Sequence, residues 1–219
     1  MGREIDLLRR YPKTKRDVGE RLKAKSENSR EIARKFGKEF FDGDREHGYG
    51  GFEYNPRFWT DVVSDLIDEY KLDNQSSVLD VGCAKGFFLH DLKAALPGLT
   101  VKGIDISEYA IENCIDTVKS DLFVASADSL PFEDNSFDLV ISINTVHNLD
   151  RNNCAEALKE ITRVTRQNSF ITVDAYRSEE EKIRMEAWNL TAKTMMSCDE
   201  WVSFFSEVKY VGDYYWFIP

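Results

Sequence analysis

"VLDVGCAKGFF", Val78 to Phe88, is the stretch on which the fold turns. Val78–Val81 is a short apolar run that stops at a glycine, the pattern of a buried strand. Gly82 and Gly86 bracket a turn, and glycine lets backbone approach a ligand where a Cβ would collide. "FFLHDLKAAL" (Phe87–Leu96) then has helical spacing and stops at Pro97-Gly98. The same alternation continues outward. "TVKGID" (Thr100–Asp105) reads as a strand, and "SEYAIENCI" (Ser107–Ile115) as a helix with Ser107 as its N-cap. "LFVAS" (Leu122–Ser126), "FDLVISIN" (Phe137–Asn144) and "SFITVDAY" (Ser169–Tyr176) read as further strands, with the helix "CAEALKEITRVT" (Cys154–Thr165) before the last. Strands this apolar are covered on both faces, so the fold class is α/β with a mostly parallel, Rossmann-like sheet. Ligands of such a sheet bind at the carboxyl ends of its strands, here the loops after Val81, Ile104, Val124, Ile143 and Val173.

Charge narrows the partners. The 219 residues hold 29 Lys and Arg against 39 Asp and Glu, a net charge of −10. Repulsion from phosphate makes nucleic acid a poor partner and points to a small-molecule substrate. The 4 cysteines, Cys83, Cys114, Cys154 and Cys198, match no zinc spacing and read as reduced thiols of a cytoplasmic protein. No stretch reads as a signal peptide or a membrane span. Residues 1–45 read as a polar, broken helical region. With the aromatic stretch "GYGGFEYNPRFW" (Gly48–Trp59) they make an N-terminal helical lid segment, 1–60, ahead of a core domain, 61–219. "TDVVSDLIDEYKL" (Thr60–Leu72) opens that core with Val62, Val63, Leu66, Ile67 and Tyr70 on one helical face.

The strand ends carry chemistry. A lone glycine loop equally suits a plain strand-to-helix turn. Asp105 closes the second strand, where a carboxylate can accept both hydroxyls of a ribose, and Asp128 follows the third, placed to meet an adenine amino group. "FDLVISINTVHNL" runs a buried strand out into a polar loop. In these motifs, "VLDVGCAKG", "GIDIS", "ASADSLPF" and "FDLVISINTVHNL", the chain resembles the class I S-adenosylmethionine-dependent methyltransferases from about Asp61 to Tyr176. It departs from them at Ala84, where the family commonly has glycine; a methyl group there is tolerable if φ stays negative. A dehydrogenase, which uses a similar loop, is the distant alternative.

The resemblance implies S-adenosylmethionine as cofactor. It implies a cofactor site made by Asp80, Gly82, Cys83, Ala84 and Gly86 of the first motif, Asp105 and Ile106 of the second, and Ala127, Asp128 and Ser129 of the third. Asn144 is expected at the methionine end, with Tyr49 and Tyr54 closing over it from the lid. For methyl transfer to a hydroxyl a base helps. His147 is the leading candidate on position, and a histidine that caps the next helix or bonds a carbonyl reads equally well there. Asp174 is the alternative base or a metal ligand; the metal requirement is unknown. His47, Arg57 and Asn148 are candidates for substrate binding, Arg57 through its planar fork. "HGYGGFEYNPRFW" and "GDYYWFIP" are similar to a bacterial subgroup tied to surface-polysaccharide or nucleotide-sugar pathways, so the expected acceptor is a sugar hydroxyl. An N-methyltransferase acting on an amine or amino-acid derivative, or a non-catalytic cofactor binder, stands beside it. The family sheet ends in an antiparallel pair, for which only "KYVGDYYWFI" (Lys209–Ile218) remains. One edge strand is then short or missing, and an exposed aromatic edge would invite a homodimer contact.

Overall fold

The computed structural model describes residues 2–12 and 26–219. The broken helix expected over residues 1–45 therefore falls partly on residues outside the described ones. What is described there is α1 (Glu27–Ala33), capped by Ser26, and the one-turn α2 (Lys38–Phe41). Next come α3 (Thr60–Tyr70), β1 (Ser77–Val81), α4 (Phe87–Ala95), β2 (Thr100–Asp105), α5 (Glu108–Glu112) and β3 (Leu122–Val124). The chain continues through β4 (Phe137–Ile143), α6 (Arg151–Val164), β5 (Thr165–Tyr176), α7 (Glu179–Trp188), β6 (Met196–Ser197), α8 (Cys198–Glu207) and β7 (Asp213–Phe217). The expected cap forms, with Ser107 Oγ accepting from the Ala110 N–H; at α8, Ser197 and Glu200 close a capping box.

The sheet has 7 strands in the order β3-β2-β1-β4-β5-β6, with β7 also on β5. Its inner strands are buried on both faces by alternation. Leu79, Val81, Val140, Ile171 and Val173 pack with α6 and α8, whereas Val78, Leu139, Ile141 and Phe170 pack with α3 and α4. This mostly parallel sheet between helices is the Rossmann-like fold of class I methyltransferases.

The carboxyl-terminal end differs from expectation. No antiparallel pair forms among the described residues. β7 runs parallel to β5, from Phe170↔Asp213 to Asp174↔Phe217, because α8 carries the chain back across the sheet before the strand begins. Gly212 makes no hairpin; a Cβ on it would lie 2.0 Å from Ser169 Oγ, so it is there for close approach. Nor is the aromatic edge exposed. Tyr214 and Trp216 are 6% and 4% accessible. The other side of β7 takes a parallel bridge from Glu4, with the Ile5 N–H donating to the Tyr214 carbonyl at 3.0 Å and the Tyr214 N–H to the Arg3 carbonyl at 3.0 Å.

Candidate functional site

A cavity of about 990 Å³ opens at the carboxyl ends of the strands. One part of its wall is Asp80, Gly82, Cys83 and Ala84 after β1, Asp105 and Ile106 after β2, and Ala127 and Asp128 after β3. Another is Asn144, His147 and Asn148 after β4 and Asp174 at the end of β5. Residues of the 36–59 segment complete it, including Phe41, Tyr49, Phe52 and Trp59, and so do Trp188 to Thr191, Lys193 and Tyr215 to Phe217. The topology thus gathers twelve expected site residues around one space: Tyr49, Asp80, Gly82, Cys83, Ala84, Asp105, Ile106, Ala127, Asp128, Asn144, His147 and Asp174, with Asn148 beside them.

The glycine turn is built by unusual backbone. Gly82 and Gly86 have φ of +90° and +77°. A Cβ on Gly82 would meet Thr145 Oγ1 at 2.0 Å, so glycine is required there on both counts. Ala84 also lies in the left-handed region, at φ +48°, so the condition of a negative φ under which a methyl group is easily tolerated is not met. The reason is the turn itself: in this conformation the Ala84 N–H donates to Asp105 Oδ2 at 2.8 Å, while the Ser107 N–H holds Oδ1 at 2.9 Å. These two bonds fix the Asp105 carboxylate at the cavity wall. Burial still raises its pKa, against the pull of those bonds.

Asp80 is 5% accessible, and its carboxyl is pushed up to about 8, first by burial and then by the charge of Asp105. No hydrogen bond or ion pair reaches its side chain from the described residues. An acid left this way at a cavity wall suits a ligand that brings positive charge.

His147 is 3% accessible and is held rather than presented. Its Nδ1 accepts the Asp174 N–H at 3.1 Å, which places the ring proton on Nε2, 3.7 Å from Asp174 Oδ2. Burial lowers its pKa against the opposing Asp174 charge, so the ring is neutral. The Trp201 Nε1–H donates to the Asp174 carbonyl at 2.9 Å, and the N–H groups of Lys193 and Thr194 both donate to the His147 carbonyl at 3.0 Å. Asn144, at φ +52°, turns its Oδ1 back to accept from Thr172 Oγ1 at 2.9 Å.

Five expected residues are not on the cavity wall. The Tyr54 hydroxyl donates to Asp91 and its ring packs edge-on against Phe87, so it braces the segment on α4. Gly86 caps α4 and backs onto Val118 and Leu122. The Ser129 N–H closes a turn to the Ser126 carbonyl. The Arg57 guanidinium lies 4.7 Å from the Phe58 ring centre, on the outside. His47 Nε2 faces Glu46 at 3.4 Å. Among the described residues no group of three His, Cys, Asp or Glu converges as a metal set would.

Sequence reasoning missed Lys85 and Asp42. Lys85 leaves the glycine turn and donates to Asp42 Oδ2 at 2.7 Å, to Oδ1 at 2.9 Å and to the Phe52 carbonyl at 3.0 Å. A lysine in the middle of the first motif was the available signal. Trp188, Lys193 and Arg177 reach the wall from elements with no local mark of function.

Residues 79–173 match the methyltransferase-domain family. The chain is 30% identical over 148 residues to a tRNA (carboxymethyluridine(34)-5-O)-methyltransferase of Arabidopsis thaliana, covering 66% of this chain and 34% of that protein. It is 31% identical over 102 residues to the mitochondrial arginine-hydroxylase NDUFAF5 of Mus musculus, covering 46% and 27%. It spans about a third of the length of these relatives. A solved S-adenosylmethionine-dependent methyltransferase of Methanosarcina mazei has the same fold, with TM-score 0.52 and 21% identity over 65% of this chain and 82% of that one. Residues 79–173 thus resemble a methyltransferase domain, set in the fold of class I methyltransferases, and the match implies S-adenosylmethionine as cofactor. No helix of the described residues is long and apolar enough to cross a membrane.

Proposed function

We propose that this class I S-adenosylmethionine-dependent methyltransferase domain methylates a hydroxyl of a small molecule, a sugar or nucleotide-sugar, inside the cavity. The observation that carries the reading is continuity: one continuous space joins Asp80, Asp105 and Asp128 to the His147–Asp174 pair. At about 990 Å³ it lies at the upper end of ligand pockets, roughly 300–1,000 Å³, with room for a cofactor and a small acceptor together.

The donor set fits the cofactor. Asp105 presents a fixed carboxylate to ribose hydroxyls, Asp128 is placed for the adenine, and the unpaired Asp80 offsets the positive charge of the methionine end. When bound, S-adenosylmethionine supplies an electrophilic methyl group whose bond to sulfur breaks with the electron pair staying on sulfur. The residues of this chain align, exclude water and take a proton. His147 is engaged at Nδ1 by the Asp174 N–H, which favours Asp174 over it as the acceptor of the substrate proton. Asp174 takes that role: as the acceptor oxygen gains the methyl group, its proton passes to the Asp174 carboxylate, on a main chain held through its N–H by His147 and through its carbonyl by Trp201. Trp188, Tyr215 and Phe217 wall the acceptor side, and Arg177 and Lys193 there suit an anionic group such as a phosphate.

The Arabidopsis relative favours a second acceptor, a modified uridine of tRNA. The net charge of −10 counts against it. Both readings are tested by methyl-labelled S-adenosylmethionine offered with nucleotide-sugars, simple amines and bulk tRNA. Label entering nucleotide-sugars is expected, and label found only in tRNA or only in amines would replace this reading. On the true acceptor, Asp174→Asn should lower kcat by about 10²–10⁴-fold. Unchanged turnover would remove Asp174 from the chemistry.

A further inference from the structure

We infer that Lys85 and Asp42 form the catch that seats residues 36–54 over the cofactor, and that both are positioning residues for cofactor binding. This rests on reading the cavity as the cofactor site. Lys85 is 7% accessible, a burial that lysine tolerates only when paired. Its backbone belongs to the glycine turn, between Ala84 and Gly86, both with positive φ. Its side chain belongs to the covering segment, where it meets Asp42 and the Phe52 carbonyl.

Asp42 is saturated by this arrangement. Besides the ammonium it accepts the Phe52 N–H at 2.9 Å and the Tyr109 hydroxyl at 2.7 Å. Burial pushes its pKa up, but the bonds from Lys85, Phe52 and Tyr109 outweigh that and hold it below the usual carboxylate range. A second tie fastens the other end of the segment, where Ser107 Oγ donates to the Phe36 carbonyl. Both ties begin at Asp105. One of its oxygens holds the Ala84 N–H, next to Lys85, and the other holds the Ser107 N–H. The expected ribose acceptor is thus the common anchor of two links that end at Phe36 and Phe52. Between those ends Phe40, Phe41 and Tyr49 face the cavity. Rings clasped in this way cover the ligand only while the segment is seated.

A buried ion pair can also be purely structural, so the test must separate seating from stability. Lys85→Met leaves the half-buried Asp42 without its cation, which puts the local fold at risk. The double variant Lys85→Met with Asp42→Asn removes both charges and keeps an oxygen for the Phe52 N–H. Calorimetric titration with S-adenosylhomocysteine, trypsin cleavage at the exposed Arg45 and the cofactor KM would be measured for wild type and the double variant.

Wild type should bind and gain protection at Arg45. In the double variant the seated fraction falls, so affinity should drop about tenfold, with kcat kept at saturating cofactor. Arg45 should then be cut at the same rate with and without ligand. A double variant that binds and is protected like wild type overturns the catch alone, as does a loss confined to melting temperature. Wild-type protein that does not bind overturns the cofactor reading, and the catch with it.

Discussion

Asp80 shows how a single residue links stability to ligand charge. With its pKa at about 8 it carries a proton at neutral pH in the free protein. In the unfolded chain an aspartate titrates near ~3.9. Between these values the native state holds the extra proton, so this group's contribution to stability falls as pH rises from about 4 towards 8. Asp80→Asn, neutral throughout, should remove that slope and leave the free protein more stable at pH 8 by about 1–3 kcal/mol in denaturant titrations. The same change should weaken S-adenosylmethionine binding, because the positive charge loses its partner. In wild type, binding at pH 7 should expel the Asp80 proton. Titrations in two buffers of different ionisation enthalpy would register the release, and equal apparent enthalpies would show that Asp80 stays protonated. His147 has the opposite sign. Its folded pKa is lowered by burial, so its contribution is present above the unfolded value and declines as pH falls below about 6.5.

At the scale of the element, the glycine turn and the four strand ends were legible, because apolar runs, turn glycines and strand-end acids lie within a few residues of each other. The same locality explains what was not legible. Nothing near Ala84 reveals that its N–H must reach Asp105 Oδ2, so its left-handed φ was missed. Arg57 and Tyr54 carry suitable chemistry, but which side of the covering segment faces inward is set by Asp91, Phe87 and Lys85, all distant in sequence. The direction of β7 depends on α8 and on Arg3 and Ile5, some two hundred residues away. The turn makes two opposed predictions. Ala84→Gly relieves a left-handed alanine and should stabilise by up to about 1 kcal/mol. Gly82→Ala adds the same atoms where Thr145 already stands 2.0 Å away and should destabilise by about 2 kcal/mol or more. Equal effects of the two in thermal melts would deny that the turn distinguishes its positions.

At the scale of the molecule, the start of the described chain is fastened to its end. Arg3 spans Glu69 at 2.7 Å and Asp213 at 3.1 Å, and Glu4 bridges to Tyr214. Exposed pairs of this kind contribute little alone. The substantial term is Leu7, 2% accessible, which shares one apolar cluster with Val62, Leu66 and Leu139. Its neighbours Asp6 and Leu8 line the cavity, so the segment that closes the sheet edge also forms site wall. Residues 3–8 are in this sense part of the core. Leu7→Ala should therefore cost about 2–4 kcal/mol. It should lower the melting temperature of one cooperative transition, and S-adenosylhomocysteine should raise that temperature in wild type and variant alike. A segment that only rested on a finished core would behave otherwise: the variant would lose well under 1 kcal/mol, or a small early transition would separate from the main one in calorimetry.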